Sequence, residues 1–134
     1  MKSNTVETIR LKYPKHILRP EDFLTFYEMD GFLADWTQLG FDDDDLQHVQ
    51  LCVMAGPEKA DLIPGTGGLR ELRFETDNPA LAPVTVRFVY FPEFSIVLLV
   101  IPYTGRSTLT ADETEEIKNL IERERNALNN RCST

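Results

Sequence analysis

The sequence predicts an α+β domain in which helices pack on an antiparallel-dominated twisted sheet of roughly four strands. Three apolar stretches of strand length follow one another between residues 68 and 101, and turn-forming residues separate them. Segments with helical spacing of apolar residues lie before and after this region. The predicted order is strand, helix, helix, strand, strand, strand, helix. A chain of 134 residues suits one such domain.

The chain divides into an N-terminal extension, residues 1–21, and a domain, residues 22–130. The extension mixes charged residues with Pro14 and Pro20 and has no clear period, so we expect it to be ordered only if it docks on the core. The first predicted strand covers residues 22–30. Its aromatic residues alternate with polar ones, and Asp30-Gly31 is a turn signal.

Two helices are predicted next. Phe32, Trp36 and Leu39 share one helical face, and Gly40 suits the C-terminal end of that helix. Asp42 is positioned to cap a second helix, which Gly56-Pro57 ends. The acids after Asp42 are adjacent rather than alternate, which favours a capped helix start over a calcium or magnesium loop.

Three strands are predicted over residues 68–76, 84–91 and 94–101, followed by a loop over residues 102–108. The last strand is apolar at nearly every position and suits the centre of a sheet covered on both faces. Alternation places Tyr90 on the face opposite Arg87, so Tyr90 is expected in the core. Thr110 and Glu113 form a capping box that starts the final helix.

The glycine-rich stretch "DLIPGTGGLRELRF" poses a choice between a phosphate cradle and a bend. A P-loop requires a lysine and a serine or threonine after its glycines, and neither follows here in that frame. A dinucleotide fingerprint follows a strand and precedes a helix, whereas these glycines follow a helix and precede a strand. The sequence therefore predicts a bend that directs a strand.

Charge and composition restrict the function classes. The net charge is −8, which is unfavourable for binding a polyanion, yet every basic residue between positions 70 and 106 is an arginine, the side chain best suited to phosphate. The two cysteines and two histidines are isolated, so we expect neither a metal site nor a cofactor. No signal peptide or membrane-length apolar run is evident, and a cytoplasmic protein is expected.

The stretch "FLADWTQLGFDDDDLQHVQLCVMAGPEKADLIPGTGGLRELRF" resembles the body of RelE/HigB-type toxins of bacterial type II toxin–antitoxin modules. It is most similar to the subgroup that carries an IPGTGGLR signature after the second helix. "VRFVYFPE", "VLLVIPYTG" and "LTADETEEIKNLI" correspond to the two later strands and the last helix of that subgroup. The resemblance covers roughly residues 24–128.

The resemblance implies a RelE-like fold and a metal-independent endoribonuclease (mRNA interferase) that cuts mRNA on the ribosome and inhibits translation. The implied partners are the ribosome, mRNA and a cognate helix-turn-helix antitoxin. Arg73 and Arg87 match arginines that hold the scissile phosphate, and Arg106 matches an arginine that stabilises the transition state. Arg70 matches the basic position of the signature, and Tyr103 is positioned to stack on a base or to bind a phosphate.

The sequence departs from the subgroup at points that keep other functions open. Glu71 stands where the signature has lysine, and residues 75–83 carry two acids and no base where the subgroup's loop is rich in Gly, Lys and Arg. One alternative is therefore a catalytically degenerate relative that binds an antitoxin or another protein. A ParE-like inhibitor of DNA gyrase is a further alternative, against which the IPGTGGLR signature argues.

Overall fold

The computed structural model describes residues 8–10 and 18–132, and it shows the predicted α+β architecture. The helices are α1 (Phe32–Gln38), α2 (Asp43–Ala55) and α3 (Ala111–Cys132). The strands are β1 (Thr8–Arg10), β2 (Thr25–Glu28), β3 (Asp61–Leu62), β4 (Leu69–Glu75), β5 (Val84–Phe91) and β6 (Ile96–Thr104). None of these helices is long and apolar enough to cross a membrane.

The described strands form one sheet in the order β1-β4-β5-β6-β2, and the short strand β3 also pairs with β4. The central pairs, β4 with β5 and β5 with β6, are antiparallel as predicted. The outer strands β1 and β2 run parallel to their neighbours. β1 falls inside the predicted N-terminal extension, of which residues 1–7 and 11–17 lie outside the described part of the chain.

The two helix starts that the sequence indicated are confirmed. The Asp42 carboxylate accepts a hydrogen bond from the Asp45 backbone N–H at 2.9 Å, and the Asp45 carboxylate accepts one from the Asp42 N–H at 3.1 Å. Thr110 and Glu113 form the same reciprocal pair at the start of α3. Each pair satisfies backbone donors that have no partner inside the helix.

The sheet separates two apolar clusters. On one face α1 and α2 supply Phe32, Trp36, Val49 and other side chains that pack against the sheet. On the other face, Ile121 and Leu128 of α3 pack against a second set that includes Val89 and Phe91. β6 contributes to both clusters and lies between β5 and β2, which confirms its predicted central position. Tyr90 packs against the α1–α2 cluster, which confirms its predicted place in the core.

The glycine-rich stretch is a turn between β3 and β4, as predicted. Gly65, Gly67 and Gly68 all have positive φ angles, of 81°, 80° and 135°, which favour glycine over other residues. The Ile63 N–H donates to the Leu69 carbonyl at 2.8 Å and closes the turn. These glycines therefore bend the chain into β4.

Thr66 lies fully buried at the centre of this turn. Its hydroxyl donates to the Ile63 carbonyl at 2.6 Å and accepts from the Leu69 N–H at 3.0 Å. A Cβ added to Gly65 would lie 3.3 Å from the Thr114 methyl group of α3, so the turn packs against that helix. The structural role of the signature is thus to fix the β3–β4 turn and to support α3.

The end of the last strand corrects the sequence prediction. Pro92–Phe94 form a short 3-10 turn, β6 begins at Ile96, and it continues through Pro102 to Thr104, where a loop was expected. The expectation was wrong because proline seldom occurs inside a paired strand. Here β2 ends at Glu28, opposite Leu99, so the part of β6 beyond this pair is an edge on that side and accommodates Pro102.

Candidate functional site

Polar side chains lie together on the α3 face of the sheet, where β4, the first half of β5 and the end of β6 are paired. Glu71 pairs with Arg87 in the register of β4 and β5, and Arg73 pairs with Thr85. Thr85 in turn pairs with Tyr103 of β6. Residues paired across strands point to the same face and lie within contact distance, so Arg73, Arg87 and Tyr103 share one surface with Glu71.

A β-bulge places Tyr103 on this surface. Phe88 pairs with Leu99, but the preceding residue Arg87 pairs with Ile101, so Val100 is an extra residue in β6. In a regular strand without the bulge, alternation would place Tyr103 on the same face as Leu99, toward α1 and α2. The bulge therefore brings the tyrosine beside Arg87.

Arg87 is the centre of the polar cluster, and only 5% of it is exposed. Its Nε lies 3.3 Å from Oε1 of Glu71, and its Nη2 donates to the Ser107 carbonyl at 2.7 Å and to the Tyr103 hydroxyl at 3.2 Å. Its guanidinium carbon also lies 4.4 Å from the centre of the Tyr103 ring. The charge of Arg87 is therefore already matched inside the protein.

Tyr103 completes the cluster by donating from its hydroxyl to Oε1 of Glu71 at 3.1 Å. Burial raises the pKa of Tyr103, and the negative charge of Glu71 raises it further, whereas Arg87 acts in the opposite direction. Because an ordinary tyrosine already titrates near pH 10, this phenol is neutral at physiological pH. It can donate a hydrogen bond, and it is a poor general base.

Arg73 and Arg106 differ from Arg87 in having no partner in the described part of the chain. Within residues 18–132, neither guanidinium takes part in a hydrogen bond or an ion pair. Arg73 is half-buried on the strand row next to Arg87, and Arg106 is exposed in the loop after β6, one residue before Ser107. These two arginines are available to bind an anion.

The structure does not bring Arg70 to this surface. Its Nη1 donates to the backbone carbonyls of Glu58 at 3.1 Å and Ala60 at 2.9 Å. Successive residues of a strand alternate between faces, so Arg70 lies on the side opposite Glu71 and Arg73. Its contacts hold the segment between α2 and β3 against β4.

Two members of the cluster could not be assigned from the sequence. The Ser107 carbonyl carries no side-chain signal and becomes a partner only because the chain turns back after β6. Glu71 is visible as an acid in the signature, but its pairing with Arg87 depends on the register of β4 and β5. The described residues contain no group of three or more His, Cys, Asp and Glu side chains placed to hold a metal ion.

The fold and this cluster define an α+β protein with arginines on one face of a mostly antiparallel sheet. No protein-family model matches the chain, and no curated protein matches it significantly.

Proposed function

We propose that this chain is the toxin component of a type II toxin–antitoxin module and that it cuts mRNA on the ribosome. The observation that supports this proposal most is the shared surface of Arg73, Arg87 and Tyr103, with Arg106 in the loop beside it. The resemblance to RelE/HigB-type toxins assigns Arg73 and Arg87 to the scissile phosphate and Arg106 to the transition state. Arg73, Arg87 and Tyr103 come from three different strands. The α+β fold is compatible with a RelE-like domain.

In such a reaction the 2′-hydroxyl of one nucleotide attacks the adjacent phosphorus and the 5′-oxygen of the next nucleotide leaves. Arg73 and Arg106 would bind the phosphate oxygens and offset the negative charge that develops on them. The neutral Tyr103 would donate a hydrogen bond or stack on a base. This chemistry depends on positioning and electrostatics more than on a covalent intermediate.

The direct test is induction of the chain in growing bacteria with measurement of protein synthesis and of mRNA integrity. We expect wild-type induction to stop translation with cleavage of mRNA, and we expect the double variant Arg73→Ala/Arg106→Ala to relieve the arrest. Arg131→Ala, which removes an exposed arginine of α3 outside the cluster, is the matched control and should arrest growth fully. Intact mRNA and continued translation after wild-type induction would contradict the proposal.

A second candidate is a RelE-like protein that binds an antitoxin without cutting RNA. The ion pair of Arg87 with Glu71 favours it, because the carboxylate occupies the arginine that would otherwise receive a phosphate. This candidate predicts that the chain co-purifies with a small helix-turn-helix protein encoded beside it and leaves translation intact when induced alone. Translational arrest by the wild type excludes it.

A further inference from the structure

A groove runs along α3 on the side of the helix that faces β2 and the end of β6. It consists of two adjoining cavities of about 480 and 280 Å³, and Met29 and Asp30 line both. The glycine-rich turn packs on the opposite side of α3, near Thr114 and Lys118. The groove therefore has the helix as one wall and the edge of the sheet as the other.

The floor of the groove is apolar. Met29, Val100, Leu109 and Ile117 are only partly buried there, and 40% of Ile101 is exposed. The β-bulge contributes to this floor, because it turns Val100 and Ile101 to the same side of β6. A partner that covers this partly exposed apolar strip removes its surface from water, which favours binding.

The rim of the groove is acidic. Its acidic residues are Glu28, Asp30, Glu113, Glu116 and Glu124. The basic residues on the exposed rim are Arg123 and Arg131, while Arg87 at the inner wall is already paired with Glu71. The rim is therefore net negative, in a chain whose total charge is −8.

The length of the groove indicates the size of its ligand. Its lining residues on α3 extend from Glu113 to Arg131, a distance of about 27 Å at 1.5 Å per residue. That span matches four to five turns of a helix and exceeds the size of a small metabolite. A polyanion such as RNA would be repelled by the rim, and so would a second copy of this acidic chain.

We propose that the groove binds a basic amphipathic helix of a protein partner. The apolar face of that helix would cover Val100, Ile101 and Ile117, and its lysines or arginines would lie opposite Glu113, Glu116 and Glu124. Apolar contact supplies the affinity, and the acidic rim selects the sign of the partner's charge. The proposal does not depend on RNA cleavage, because it uses none of the unpaired arginines of the candidate site.

The test uses a fluorescently labelled, 18-residue helical peptide of leucine and lysine, with leucine on one face. A peptide in which glutamate replaces every lysine is its control. Fluorescence anisotropy with the full chain should show binding of the lysine peptide at least tenfold tighter than binding of the glutamate peptide, and added salt should weaken it. Amide shifts in an isotope-labelled chain should change along α3 and at residues 100–101.

Charge reversal on the protein gives the matched comparison. Glu116→Lys/Glu124→Lys changes the rim and should weaken binding of the lysine peptide about tenfold. Glu115→Lys/Glu122→Lys makes the same charge change on α3 away from the groove. It should change the affinity for the lysine peptide less than about threefold.

Equal effects of the two charge-reversal variants, equal binding of the two peptides, or amide shifts confined to other surfaces would each overturn the proposal. The peptide comparison and the shift mapping use the wild-type chain, so they remain decisive even if a variant folds poorly. Sedimentation that shows a dimer broken by Ile101→Asp would also overturn it, because the groove would then belong to a second copy.

Discussion

The two faces of the sheet are built from the same strands and differ in chemistry. On the α1–α2 face, β5 presents Val84, Val86 and Phe88, all of them fully buried. On the α3 face the same strand presents the apolar Val89 and Phe91 in its second half and the polar Thr85 and Arg87 in its first half. Alternation along β5 separates a face that only stabilises the fold from a face that also carries polar groups. The candidate site lies where the apolar contacts with α3 end.

The largest expected loss of stability follows from a change on the α1–α2 face. Phe88→Ala would leave a cavity among packed side chains and should lower the free energy of unfolding by about 3–5 kcal/mol, measured by urea denaturation. The matched change on the other face is Ile101→Ala, at a residue that is 40% exposed, which should cost less than about 1 kcal/mol. Equal losses would show that the two faces do not differ as described.

In the polar cluster, the effects of replacing Arg87 and Glu71 on the free energy of unfolding should not add. Arg87→Met removes the counter-ion of a largely buried carboxylate and should cost about 2–4 kcal/mol in unfolding free energy. The added change Glu71→Met should restore most of that loss, because a buried ion pair is commonly replaceable by apolar side chains of similar size. A double variant as unstable as the single one would show that the ion pair is a net contributor to stability.

The signature turn should be sensitive at its threonine. Thr66→Val keeps the shape of the side chain but leaves the partly buried Ile63 carbonyl and the buried Leu69 N–H without their partner, which should cost about 2 kcal/mol. Thr76→Val, at a hydroxyl in a more exposed turn, should cost less than about 1 kcal/mol. A smaller loss at Thr66 than at Thr76 would contradict the assigned role of the signature.

The smallest expected effect is the pH dependence of the α2 cap. The backbone N–H of Asp45 donates to the Asp42 carboxylate and lowers the pKa of Asp42. The ionised cap therefore stabilises the fold fully at a pH above the ordinary carboxyl pKa. This stabilisation is lost as the pH falls through the lowered pKa of Asp42. Burial raises the pKa of Asp45, which partly offsets this dependence. Asp42→Ala should therefore be less stable than the wild type at pH 7, with a difference that narrows below about pH 4. A difference in unfolding free energy between the two proteins that stays constant from pH 7 to below about pH 4 would contradict the role of Asp42 as an ionised cap.

Local signals in the sequence were sufficient for much of the fold. The caps at Asp42 and Thr110 and the glycine bend each depend on residues close together in the chain, so their chemistry is visible in the sequence. Alternation also separated Arg87 from Tyr90, because it follows from strand geometry alone.

The arrangement of the site depends on long-range geometry that the sequence does not encode locally. The Glu71–Arg87 ion pair requires the register of two strands joined by a loop. The orientation of Tyr103 depends on the β-bulge at Val100, which shifts the alternation of β6 by one residue. Arg70 resembles its neighbouring arginines in sequence, but the carbonyls of Glu58 and Ala60 bind it on the other face.

The parallel outer strands have a consequence for the order in which the sheet assembles during synthesis. Thr8 pairs opposite Arg73 and Thr25 opposite Ile96, so both outer strands find their partners more than sixty positions later in the chain. A nascent chain leaves the ribosome with β1 and β2 first, and neither can pair until β4 and β6 have emerged. The neighbouring strands β4, β5 and β6 can pair as soon as they are made, because the sequence distances between them are short. The N-terminal strands thus join a sheet that the later part of the chain has begun.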